Sequence, residues 1–96
     1  MSEDPVDTNN QPTAVWLCED NERFRRTLCS AINQIEGLNC DQSLGSVEDT
    51  LSRIAETGTP DVLLLDIGLP GMDGISALPS LRAAAPGTRI VILTVF

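Results

Sequence analysis

Residues 61–66 read DVLLLD, four aliphatic side chains between two aspartates with no polar residue among them. A strand that does not alternate must be covered on both faces, and that environment is a parallel sheet. Parallel neighbours cannot be joined by tight turns. They need right-handed crossovers, usually helical, so the flanking sequence has to supply helices.

It does so with a regular rhythm. AVWLC, residues 14–18, is a short apolar run that stops at Glu19 and Asp20, as a buried strand does at the edge of a sheet. From Asn21 onward Phe24, Leu28, Ala31, Ile32 and Ile35 recur at helical spacing, with Arg23, Arg25, Arg26 and Asn33 on the other side and Gly37 closing the segment. This predicts an amphipathic helix of about four turns. LNCDQS, residues 38–43, has weaker strand character. Ser46 followed by Asp49 resembles a capping box opening a second helix, whose apolar face is Val47, Leu51, Ile54 and Ala55 and whose end lies before Gly58 and Pro60. After DVLLLD comes the loop IGLPGMDG, then a helical pattern from Ile75 through Leu78, Leu81 and Arg82 to Ala85. Pro79 inside it should kink the helix or delay its regular start. RIVILT, residues 89–94, is the last strand. Strand and helix alternate throughout, which predicts an α/β fold with a doubly wound parallel sheet.

Residues 1–12 are polar, acidic and carry two prolines, the composition of a disordered tail. The folded domain is expected over 13–96. Ninety-six residues allow one small domain, and with aromatics at only 3% its core must be built from Leu, Ile, Val and Ala. No apolar run reaches the ~18 residues that span a bilayer, and the N-terminus is not a signal peptide, so a cytoplasmic location is expected and no membrane contact. The net charge of −8 would repel phosphate backbones, so no nucleic acid should bind this chain itself. The absence of His excludes Ser-His-Asp and Cys-His catalysis. Cys18, Cys29 and Cys40 form no CxxC pair and read as buried small hydrophobes.

In an open parallel sheet, ligands bind outside the carboxyl ends of the strands. Glu19 and Asp20 follow the first strand, Asp66 ends the third and Thr94 ends the fourth, so one edge gathers three carboxylates and a hydroxyl. Asp61 starts its strand some five extended residues, ~17 Å, away and reads as solvated. Clustered carboxylates repel one another and raise each other's proton affinity. A divalent cation relieves that, and all-oxygen ligands leaving room for water and phosphate oxygens fit Mg²⁺ better than a full Ca²⁺ cage. Asp66 could then act as a nucleophile toward a phosphoryl group.

These residues resemble the receiver domain of two-component response regulators, through VWLCEDNERFRRTL, DVLLLDIGLPGMDGI and RIVILTVF. The resemblance covers residues 14–96. It implies a flavodoxin-like (CheY-like) fold with strand order 2-1-3-4-5, of which this chain would hold 2-1-3-4, the fifth strand and last helices being absent after Phe96. It further implies that Asp66 accepts a phosphoryl group from a histidine kinase. Glu19, Asp20 and Asp66 would hold Mg²⁺ together with the backbone carbonyl of Gly68, and Thr94 would contact the new phosphoryl group and switch the domain's conformation. Asp73 is better read as a helix N-cap. The LPG turn, Pro79 and AAAPGTRIVILT most resemble regulators of the LuxR/NarL type, whose DNA-binding output domain is not in this chain.

Family members carry a lysine after the fifth strand that contacts the phosphoryl group, and this chain has no Lys. Loss of one such partner costs on the order of a hundredfold in rate. An uncovered fourth strand would also invite pairing, so a homodimer or domain-swapped oligomer through residues 89–96 is expected. The chain is not expected to be an enzyme beyond self-phosphorylation and autodephosphorylation. Two other readings compete. One is a receiver that is never phosphorylated and serves only as an interaction or dimerisation module. The other is a Mg²⁺-dependent phosphohydrolase with an aspartate nucleophile, which would want a second acid where Gly68 stands. A dinucleotide site is set aside, since GLPGMDG lacks the GxGxxG order.

Overall fold

The computed structural model describes residues 11–67 and 74–93. The acidic tail up to residue 10, Gly68, the proposed cap Asp73, and Thr94 lie outside the described residues. Within them the elements alternate as the sequence predicts: β1 (Thr13–Cys18), α1 (Glu22–Asn33), β2 (Leu38–Leu44), α2 (Val47–Thr57), β3 (Val62–Asp66), α3 (Gly74–Ala84) and β4 (Arg89–Leu93). All the pairings are parallel, in the order β2-β1-β3-β4. This is the doubly wound arrangement expected from DVLLLD.

Each face of the sheet has its own apolar layer. On one, Trp16 and Cys18 of β1 meet Leu63 and Leu65 of β3, Val47 and Ile54 of α2, and Ala77 and Leu81 of α3. On the other, Val15 and Leu17 meet Ile32, Leu28 and Cys29 of α1, with Cys40 of β2. The central strands therefore need apolar residues at every position. Leu17 and Leu65 are wholly inaccessible to solvent.

Helix ends follow the local chemistry. Asn21 caps α1, its side-chain oxygen accepting the Phe24 N–H at 2.9 Å, and Ser46 caps α2 by accepting the Asp49 N–H at 3.0 Å. Gly58 closes α2 at φ +102°, a backbone conformation other residues adopt only under strain. In α3, Pro79 takes away the N–H that would meet the Ile75 carbonyl, yet the helix runs unbroken from Gly74 to Ala84. The bond is lost at the middle of the helix, where buried Ala77 and Leu81 on either side of Pro79 anchor it to the sheet.

Three expectations need correction. The helix α1 is 12 residues, nearer three turns than four, and much of its predicted apolar stripe is uncovered: Ile32 is buried, but Phe24, Ala31 and Ile35 are exposed. The reason is coverage, since α1 is the one described helix on its face and lies mainly over β2. Asp61 is exposed but not merely solvated: its Oδ2 accepts the Ala14 N–H at 2.8 Å and its main chain bridges Ala14 and Arg89, so it ties the starts of three strands. Of the cysteines, Cys18 and Cys40 are buried as expected while Cys29 is only half-buried, its thiol donating to the Cys40 carbonyl at 3.3 Å. Burial pushes the Cys18 thiol up to about 11 and the Cys40 thiol up to about 12.

Removing the α2 cap tests the local account. Ser46→Ala is expected to lower the unfolding free energy by about 1 kcal/mol, read as a shifted urea midpoint with an unchanged slope.

Candidate functional site

Parallel pairing of β1 with β3 sets the site. Cys18 is in register with Leu65, so the next residues, Glu19 and Asp66, emerge side by side at the carboxyl edge. Asp20 follows on the loop into α1. One carboxylate oxygen from each of the three lies within 4.8 Å of the others. The structure thus brings together Glu19, Asp20 and Asp66 as the strand ends suggest. Asp66 pairs in register with Leu93 on the next strand, the residue before Thr94. For Thr94 and Gly68 themselves the described residues supply no placement.

The three acids sit in different surroundings. Glu19 is 4% exposed and Asp66 9%, while Asp20 faces solvent. Burial pushes the Glu19 carboxyl above its usual range, and a hydrogen bond with the Asp20 carboxyl and the charges of Asp66 and Asp20 push the same way. The Asn21 N–H, donating to Glu19 Oε2 at 3.0 Å, opposes the rise. Two like charges at such separations repel by roughly 3–4 kcal/mol at an effective dielectric of about 20, less at exposed Asp20, where solvent screens. Three oxygen donors, two of them withdrawn from water, fit a hard divalent cation, and their spacing allows all three to reach one ion.

The loop that carries Glu19 is fixed by residues the sequence reading left on a solvated face. Glu19 N–H donates to the Leu44 carbonyl at 2.9 Å. Arg25, placed by periodicity on the polar side of α1, donates from Nη1 to the Glu19 main-chain oxygen at 2.7 Å. Beneath the acids, Cys18 hydrogen-bonds Thr50, whose hydroxyl donates to the Ser46 carbonyl at 2.9 Å. Thr50 was missed because it is polar inside an otherwise apolar helix face. Arg25 was missed because three arginines within four residues hide the one that turns back.

This arrangement is matched by known proteins. Residues 15–96 match the response regulator receiver domain family, and the chain belongs to it. The DNA-binding transcriptional regulator NtrC of Klebsiella pneumoniae is 37% identical over 81 residues, 82% of this chain and 16% of that protein. The nitrate/nitrite response regulator protein NarL of Escherichia coli strain K12 is 28% identical over 88 residues, 92% of this chain and 40% of that protein. Among solved structures, the beryllofluoride-activated NtrC receiver domain superposes with a TM-score of 0.73 at 34% identity, covering 88% of this chain and 65% of that one. The chain spans well under half the length of these curated relatives. Likeness runs to both NarL and NtrC, and this chain carries the CheY-like receiver fold with its four strands in the order 2-1-3-4. No described helix is long and apolar enough to cross a membrane.

The raised Glu19 carboxyl has a signed consequence. Below the ordinary value of 4.5 both folded and unfolded chains hold this proton. As pH rises toward the higher folded value the unfolded chain ionises first, so the stability contributed by the protonated form is lost. Glu19→Gln, which keeps an acceptor for the Asn21 N–H, should therefore raise the melting temperature in metal-free buffer at neutral pH. A lower melting temperature there would contradict this account.

Proposed function

We propose that the chain is the phosphoacceptor module of a two-component system, accepting a phosphoryl group on Asp66 from a histidine kinase. The observation that carries the reading is the convergence of Glu19, Asp20 and Asp66 within 4.8 Å at the carboxyl edge of a receiver domain. Its relative NtrC has a receiver domain described in a beryllofluoride-activated form, and beryllofluoride is a phosphomimetic.

In the transfer, a carboxylate oxygen of Asp66 attacks phosphorus as the bond to the kinase's imidazole nitrogen breaks, leaving an acyl phosphate on Asp66 and a free histidine. Asp66 suits the role because its main chain is fixed by the β3 ladder and it is only 9% exposed, which limits competing water. Mg²⁺, held by Glu19, Asp20, Asp66 and the Gly68 carbonyl, would supply charge neutralisation between the anionic nucleophile and the anionic donor. Glu19 and Asp20 contribute by binding, while Asp66 both binds and reacts. Thr94, one residue beyond the position paired with Asp66, is the proposed phosphoryl contact and switch. The acidic surface leaves nucleic-acid contact to any output domain of a longer parent chain. The module works in the cytoplasm and is no enzyme beyond its own phosphorylation and autodephosphorylation.

Intact mass after incubation with a small acyl phosphate tests the chemistry. A gain of one phosphoryl group that needs Mg²⁺ and is absent in Asp66→Asn is the expected result. A folded chain that takes up no phosphate would favour the pure interaction module.

Assembly belongs to the same reading. On the outer strand β4, Val91 is 45% and Ile92 37% exposed, an apolar edge suited to pairing with a second copy. Sedimentation is expected to show a dimer that Val91→Lys dissociates, and a wild-type monomer would count against it.

A further inference from the structure

We infer that Arg25 is a positioning residue for the divalent-cation site, acting through the main chain of Glu19 rather than through any carboxylate. The inference rests on the cation site of the phosphoacceptor reading.

Two independent features point to it. Arg25 Nη1 donates to the Glu19 main-chain oxygen at 2.7 Å, a charge-assisted bond from helix α1 back to the strand end. The guanidinium also passes beside Gly45, where a Cβ would stand 3.2 Å from Nη1, tighter than side chains ordinarily tolerate. Gly45 follows Leu44, whose carbonyl accepts the Glu19 N–H. Both main-chain polar groups of Glu19 are thus held, its N–H by the end of β2 and its carbonyl by Arg25. The Arg25 N–H in turn donates to the Asn21 carbonyl at 2.8 Å, and the Asn21 N–H donates to Glu19 Oε2 at 3.0 Å. Glu19, Asn21 and Arg25 form a closed ring of bonds, with Gly45 leaving the room through which the guanidinium reaches it.

Charge and position make opposite forecasts, which gives the idea a sign. A cation beside a cation site repels the incoming ion, so electrostatics alone says that removing Arg25 should tighten Mg²⁺ binding. Positioning says the reverse. Groups that hold metal ligands from behind typically cost 10–100-fold in affinity when lost.

The test is calorimetric titration of Mg²⁺ into the 96-residue wild-type chain, Arg25→Met, Gly45→Ala and the double variant, each with a melting curve in metal-free buffer. Arg25→Met is expected to bind Mg²⁺ about tenfold more weakly. Gly45→Ala, which keeps the charge but crowds the guanidinium, should weaken binding too, and should add nothing in the Arg25→Met background. Should Arg25→Met fail to fold, Arg25→Lys takes its place, since it keeps the charge and loses the reach. Unchanged or tighter binding in the Arg25 variant overturns the inference, as does a Gly45→Ala loss that persists undiminished without Arg25. A wild-type chain that binds no Mg²⁺ sinks the phosphoacceptor reading and this inference together, whereas wild-type binding that the variants leave intact sinks this inference alone.

Discussion

The parallel ladder between β1 and β3 is the constraint on which the site depends. Its register, Val15 with Val62 through Cys18 with Leu65, decides that Glu19 and Asp66 leave the sheet together. A shift of one residue would turn every side chain on β1 to the opposite face. Trp16 and Cys18 would then point toward α1, and Val15 and Leu17 toward α2 and α3, where the facing layers are not shaped for them. The two apolar layers therefore hold the register, and the register places the acids. Repulsion among the acids is imposed by packing energy at a distance from it.

The edge strand β2 shows why its sequence reads weakly. Val15 pairs with Cys40 but Trp16 pairs with Gln42, so Asp41 is an extra residue in the strand. Before the bulge Leu38 and Cys40 serve the α1 layer, and after it Leu44 serves the other. Neither a period of two nor a continuous run survives that change of face. Asn33, at the end of α1, accepts the Cys40 N–H at 2.7 Å and donates to its carbonyl at 3.2 Å, so its side chain occupies part of the strand's outer edge.

Periodicity and strand ends made the element order, the α2 cap and the acid triad legible, while the Asn21 cap of α1 was not read. The Ser46 cap and the DVLLLD strand are local signals, complete within a few residues. What stayed hidden is reach. Arg25, Asn33 and Asp61 are polar and sit at exposed or half-exposed positions, so hydropathy assigns them to solvent. Each instead spends its hydrogen bonds on the main chain of another element: Arg25 on Glu19, Asn33 on Cys40 and Asp61 on Ala14. Side-chain length and direction decide such contacts, and a one-dimensional pattern carries neither. The converse error has the same origin. Phe24 lies on the apolar stripe of α1 but is exposed, because how much of a stripe is covered depends on what lies opposite it, and Ile35, which the period places on the same stripe, falls beyond the helix end at Asn33.

The direction of those bonds also bears on how the acids stay available. Had Arg25 paired with the Glu19 carboxylate, the protein would have supplied its own counter-charge and a cation would have to displace it. Its guanidinium goes instead to the Glu19 main-chain oxygen, while the carboxylate accepts from the neutral Asn21 N–H. A neutral donor fixes a ligand's direction without cancelling its charge. Glu19 is consequently oriented but still electrostatically strained, with a carboxyl pushed up by burial and by its neighbours. In a site organised in this way the ligand direction is set by the protein's own neutral donor, and a cation held there would relieve the repulsion among the acids.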